Sequence, residues 1–278
     1  MKKLIIIFFP LLQFFLSASA QQIKTPAPSP PQYLKQDFGL SAIEVSYSRP
    51  GIRGRTIFGD LVPYGKVWRT GANSPTTITF GDDVVIGGTK IAAGKYGLLT
   101  IPGEKEWTFI ITRQLDVTNP AAYKQDQDIV RVPAPTNALP FSVNNFTMTI
   151  DNITNSSCNL ILLWDKTAVA LPITTDVDTR IMKDIDETIN KDDKPYFNAA
   201  MYYLDNGKDL NKALEWFNKA IQQNPDGFFI YYQKARCLAK LGKKQDAIAT
   251  AQKGIESAKA AKNEDYVALN QKLIATLE

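Results

Sequence analysis

The chain of 278 residues has no histidine at all. That removes the Ser-His-Asp triad, the Cys-His dyad, the imidazole-ligated metal and the imidazole pH switch together. Cysteine is nearly absent too, with Cys158 and Cys237 alone. Two thiols make no disulfide framework, and without histidine they are too few for a structural zinc site. Neither sign of charge is in excess, since 32 basic residues face 28 acidic ones. That balance excludes a general nucleic-acid binder. Long apolar runs are lacking as well. The longest, Leu4 to Leu16, is interrupted by Pro10 and Gln13 and is short for a membrane span. What remains is 44% hydrophobic and 22% charged, the composition of an ordinary globular protein.

The apolar run has its own meaning. Lys2 and Lys3 precede it, and Ser17-Ala18-Ser19-Ala20 follows it with an A-x-A arrangement. This is the three-part plan of a secretory signal peptide over residues 1–20. Cleavage would leave a chain starting at Gln21, with no membrane span and a periplasmic or secreted location in a bacterial envelope. Residues 21–34, with Pro26, Pro28, Pro30 and Pro31, read as a Pro-rich spacer.

From 35 to 174 the chain alternates with period two. Examples are Ile43, Val45 and Tyr47, Thr77 to Phe80, Trp107 to Ile110 and Phe146 to Ile150. Such alternation of β-branched and aromatic residues marks half-buried strands. Leu160 to Trp164 is a solid apolar run, as of a strand covered on both faces, and Ala168 to Ile173 reads as a last strand. Eight to ten short strands without a helix predict an antiparallel β-sandwich or barrel. The period then changes. Ile181, Ile185 and Ile189 predict a linker helix within 175–194, and 195–278 reads as helical throughout. The fold class is therefore α+β and multidomain, a β domain followed by an α-helical array. One cysteine falls in each part, which suits two buried free thiols.

The helical part repeats itself. Tyr196, Ala200, Gly207, Ala213 and Ala220 recur as Tyr231, Ala235, Gly242, Ala247 and Gly254, at a spacing of 34 to 35 residues. Asn198-Ala199-Ala200, Lys212-Ala213-Leu214 and Asn224-Pro225 belong to the first unit, and Lys234-Ala235-Arg236 and Asp246-Ala247-Ile248 to the second. The pattern resembles the tetratricopeptide repeat. It departs from it at Ala251, where an aromatic such as Phe217 is usual. Residues 263–277 read as a closing helix with Tyr266, Leu269, Leu273 and Ile274 turned inward. The resemblance implies a protein partner docked on the helices, the alternative being a plain helical buttress.

Four of the eight arginines crowd into residues 49–73: Arg49, Arg53, Arg55 and Arg69. Asp60 is the only acidic residue there, and Tyr64, Trp68 and Asn73 lie among them. Guanidinium forks on a shaped loop beside aromatic rings suit a small anionic or glycan ligand. Arginines that bond loop carbonyls, with Trp68 and Phe58 plugging the core, are the other reading. The catalytic residues are unknown, no cofactor or metal is implied, and an enzyme is the weaker alternative: a hydrolase or lyase on an anionic glycan using Arg and Tyr chemistry. A purely structural accessory protein is the third. Asp82-Asp83 and Glu104/Glu106 flank turns without facing each other across a cleft, and Gly87-Gly88 opens no phosphate loop.

The same segment carries a family resemblance. Ser48-Arg49-Pro50, Gly54-Arg55, Ile57-Phe58-Gly59, Leu61 to Gly65 and Val67 to Asn73 follow the hallmark run of the bacterial family of unknown function 2911 (DUF2911). Ala93 to Tyr96, Thr100 to Gly103, Glu106 to Thr108 and Trp164-Asp165-Lys166 continue it, while residues 113–123 lack the Trp-Gly pair frequent among members. The resemblance implies an exported β-rich domain over 35–174 and no established activity.

Overall fold

Alternating apolar side chains put ten strands into the first part of the computed structural model, which describes residues 25–189 and 194–278. The expected signal peptide 1–20 and its cleavage before Gln21 lie outside the described residues. The chain divides into two units between Thr175 and Asp176.

The strands are β1 (Pro31–Phe38), β2 (Ser41–Ser48), β3 (Thr77–Phe80), β4 (Val84–Ile86), β5 (Thr89–Ile91), β6 (Gly94–Ile101), β7 (Glu106–Thr112), β8 (Asp128–Pro135), β9 (Asn137–Asp151) and β10 (Ser157–Thr174). They form two antiparallel sheets, in the orders β1-β2-β3-β6-β7-β8 and β5-β4-β10-β9. β1 starts inside the segment read as a spacer. Pro31 pairs with Ser48 at the first position of an edge strand, where the missing N–H costs no ladder bond.

The two sheets share one hydrophobic core. Ile43, Val45, Tyr47, Ile78 and Phe109 reach it from the six-stranded sheet, and Phe146, Met148, Leu160, Leu162 and Trp164 from the other. The two strands read at 160–164 and 168–173 are one strand. β10 runs through both, with its register to β9 shifting around Asp165. Asp165 takes φ 48°, a left-handed conformation that suits a bulge. Nor is 160–164 covered on both faces, because Ile161 and Leu163 are half-exposed.

The helices are α1 (Asp178–Thr188), α2 (Tyr196–Asp205), α3 (Leu210–Gln223), α4 (Phe228–Lys240), α5 (Lys244–Ala260) and α6 (Glu264–Leu277). Two hairpins, α2/α3 and α4/α5, thus precede a closing helix, in a tetratricopeptide-like region. Ala200, Ala213, Ala235 and Ala247 are fully buried, so small side chains let paired helices approach closely. Gly207 and Gly242 end α2 and α4 at φ 65° and 73°, the left-handed residue that stops a helix. The Asp209 carboxylate accepts from the N–H groups of Asn211 and Lys212 and caps α3.

Of the inward set read from the sequence, Tyr266, Leu273 and Ile274 are partly buried and one residue is wrong. Leu269 stands exposed at 38%, and α6 instead buries Val267 and Asn270. Gly254 explains the shift. A Cβ there would lie 2.8 Å from Oδ1 of the Asn270 side chain, so α5 gives up a side chain to admit the amide.

Cys158 and Cys237 are both buried and unbonded. Burial pushes the Cys158 thiol up to about 11. The folded chain therefore holds that proton more tightly than the unfolded chain. Its contribution to stability is full below the unfolded thiol value and is lost as the pH climbs through the folded one. Iodoacetamide at neutral pH is expected to modify neither cysteine until denaturant is added. Fast modification of Cys158 in the folded protein would contradict its burial.

Candidate functional site

Residues 49–76 cross from β2 to β3 as a long turn held in unusual backbone. Arg53, Thr70 and Asn73 all sit at positive φ, between 51° and 58°. For β-branched Thr70 this is a strained conformation, and strain of that kind persists only where neighbours over-determine it. They do so here. Thr70 is fully buried, its hydroxyl shares a hydrogen bond with that of Thr100 at 3.0 Å, and its carbonyl accepts from the Thr76 hydroxyl at 2.7 Å. Just before it, Trp68 exchanges backbone hydrogen bonds with Thr100 at the end of β6.

The seven candidate residues are then placed as follows. Arg49 donates through Nε to the Phe146 carbonyl at 3.0 Å and through a terminal nitrogen to the Thr147 hydroxyl at 2.6 Å. It thereby fastens the turn to β9. Arg55 donates to the carbonyls of Ile52 (3.0 Å) and Gly51 (2.7 Å) and curls the turn onto itself. Arg53 donates to the Pro28 carbonyl at 2.7 Å, and the Asn73 amide to the Ser29 carbonyl at 3.1 Å. Those two come together on the segment that leads into β1. Arg69 donates to the Thr118 carbonyl. The four guanidinium groups thus end on four separate stretches of backbone.

Trp68 lies nearly parallel to Trp164, with 5.8 Å between ring centroids and 16° between planes, and meets Trp107 and Phe146 edge-on. Phe58 adds edge contacts to Trp107 and Trp164. Both rings plug the end of the core. Of the aromatic rings in the turn, Tyr64 is the exposed one, at 39%, with its ring over Gly59.

Two polar arrangements were not read from the sequence. On the outer side of β8, Arg131 donates to the Asp128 carboxylate at 2.7 Å, and Tyr123 joins both. Burial and the neighbouring Asp128 carboxylate raise the Tyr123 phenol above its ordinary value, against the opposing pull of Arg131. The second is a groove between α3 and α5, floored by α4, of about 690 Å³. Lys234, Lys243 and Lys253 line it with the amides of Asn218 and Gln222 and the apolar Leu214 and Ile221. A signal for it exists in the repeat. Lys234 occupies the position that buried Ala199 holds one unit earlier, so a cation replaces a core residue.

Among the described residues no three His, Cys, Asp or Glu side chains group as a metal site would, and no helix is long and apolar enough to cross a membrane.

Over residues 29–173 the chain matches the family model described as a protein of unknown function, DUF2911. Residues 183–254 match that of anaphase-promoting complex, cyclosome, subunit 3. No curated protein matches the chain. Among solved structures it is similar to a tetratricopeptide repeat domain protein from Salinibacter ruber, seen in a crystal structure and in a solution NMR structure. Identity is 23% in both; the matches cover 30% and 32% of this chain and 91% of each of those, with TM-scores of 0.28 and 0.29.

Proposed function

The chain belongs to the DUF2911 family, a membership that sets no reaction, and we propose from there that it is a non-enzymatic interaction module, exported to the bacterial envelope, whose helical repeats hold a segment of a protein partner. One observation carries this reading: the groove between α3 and α5 is open and lined by three helices at once. Helical hairpins that stack side by side leave such channels, and an extended segment is the shape that fills one. The small-ligand reading of the arginine turn has less behind it. Its guanidinium groups are engaged by backbone carbonyls, which fits a clamp better than an anion cradle. Export rests on the pattern of residues 1–20.

A photo-crosslinking residue in place of exposed Ala249, on the groove wall, tests both parts in cells. The expected result is one dominant protein adduct, identified by mass spectrometry and reproduced with the purified partner. The same residue at Lys105, in the β unit, should give none. The mass of the recovered chain should place its N-terminus at Gln21. Equal labelling from both positions would overturn the docking reading, and a retained Met1 would overturn export.

A further inference from the structure

Resting on the docking reading, we propose that the segment held between α3 and α5 is an acidic stretch of the partner, its carboxylates meeting Lys234, Lys243 and Lys253. The charge of the groove argues for it. Three ammonium groups line it against one carboxylate, Asp246. Among the described residues none of the three lysines lies within ion-pair distance of a carboxylate. Several other lysines of the same unit are engaged. Lys208 pairs with Asp178 at 2.8 Å, Lys240 donates to the Leu204 carbonyl at 3.0 Å, and Lys212 sits 5.0 Å over the Trp216 ring. The groove therefore concentrates three cations outside any ion pair, with Asp246 as the one carboxylate in its lining.

Lys234 is the strongest of them. It is half-buried on α4, at the floor rather than the rim. Burial and the nearby Lys253 pull its ammonium below the ordinary lysine value, and Asp246 offsets part of that. A carboxylate seated above Lys234 would counter the repulsion from Lys253 and favour the charged ammonium. The groove also offers what a peptide backbone needs. Asn218 and Gln222 each carry a donor and an acceptor along α3, and Leu214 and Ile221 supply apolar contact beside them. The sign of charge then changes beyond Lys253, where Asp226 and Glu256 line an adjoining hollow. This limits the acidic part of the occupant to the stretch lined by Lys234, Lys243 and Lys253.

The test uses the purified full chain and fluorescence anisotropy of short labelled peptides built from Glu, Leu and Ala. The Glu peptide is expected to bind, and to bind more weakly as salt is raised, because exposed charges are screened. Its Gln analogue should bind at least about tenfold more weakly, the loss of one charge-assisted hydrogen bond or more. Lys253→Glu and Lys243→Glu, both at exposed positions and checked for folding by circular dichroism, should each weaken the Glu peptide by a similar factor. Lys272→Glu, on α6 and away from the groove, should leave it unchanged. Equal binding of the Glu and Gln peptides would overturn the acidic assignment while leaving docking intact, provided the Ala249 adduct is still formed. Loss of that adduct sinks docking itself. Binding of a single-stranded oligonucleotide as tight as that of the Glu peptide would replace the protein partner with a nucleic acid.

Discussion

Trp68→Ala is expected to destabilise the β unit by about 3 kcal/mol, lowering its melting temperature on the order of 10 °C. The indole is stacked on Trp164 and touched edge-on by Trp107 and Phe146, so its removal opens a hole beside three large rings that cannot all collapse into it. Tyr64→Ala is the contrast. Its ring is 39% exposed and rests on Gly59 at the surface rather than in the core, and the change should cost less than about 1 kcal/mol. Differential scanning calorimetry of the two variants separates the aromatic plug from an aromatic binding surface. A Trp68 variant that melts with the wild type would return this ring to the list of ligand contacts.

How much of this was visible beforehand depends on what each feature is made of. The strands were legible because burial follows side-chain chemistry at every second position, as in Ile43, Val45 and Tyr47. The bulge in β10 was written there too. Leu160, Leu162 and Trp164 are buried at even numbers and Val169, Leu171 and Ile173 at odd ones. A change of parity within one strand requires an extra residue, and splitting the run into two strands missed it. The repeat was legible because its small residues recur at fixed spacing, whereas the inward set of α6 was legible only in part. Amphipathic spacing marks Leu269 and cannot foresee that Gly254 makes room for Asn270. The arginine turn is the hardest case. Its residues were found from composition, but their acceptors are backbone carbonyls, which every residue carries. Nothing in the letters says that Arg49 reaches Phe146, 97 positions away.

The arginines therefore decide what the turn is for, and alanine replacements should rank by the bonds they hold. Arg49→Ala is expected to cost about 2–3 kcal/mol, because it removes two charge-assisted donors and leaves the Phe146 carbonyl and the Thr147 hydroxyl to find other partners at the edge of the core. Arg49→Lys should restore only part of this, since a single ammonium cannot present Nε and a terminal nitrogen to two acceptors in fixed geometry. Arg53→Ala should cost less than about 1 kcal/mol, its one bond to Pro28 lying in solvent that readily replaces it. Arg69→Ala, half-buried and tied to Thr118, should fall between them. The ranking comes from thermal or urea unfolding, each variant measured with and without sulfate, phosphate and an acidic sugar. A clamp predicts that these anions shift the melting curves of wild type and Arg69→Ala alike, because the guanidinium groups point at backbone on four separate segments. An anion that stabilises the wild type and loses its effect in Arg69→Ala would overturn the clamp and make the turn a binding site.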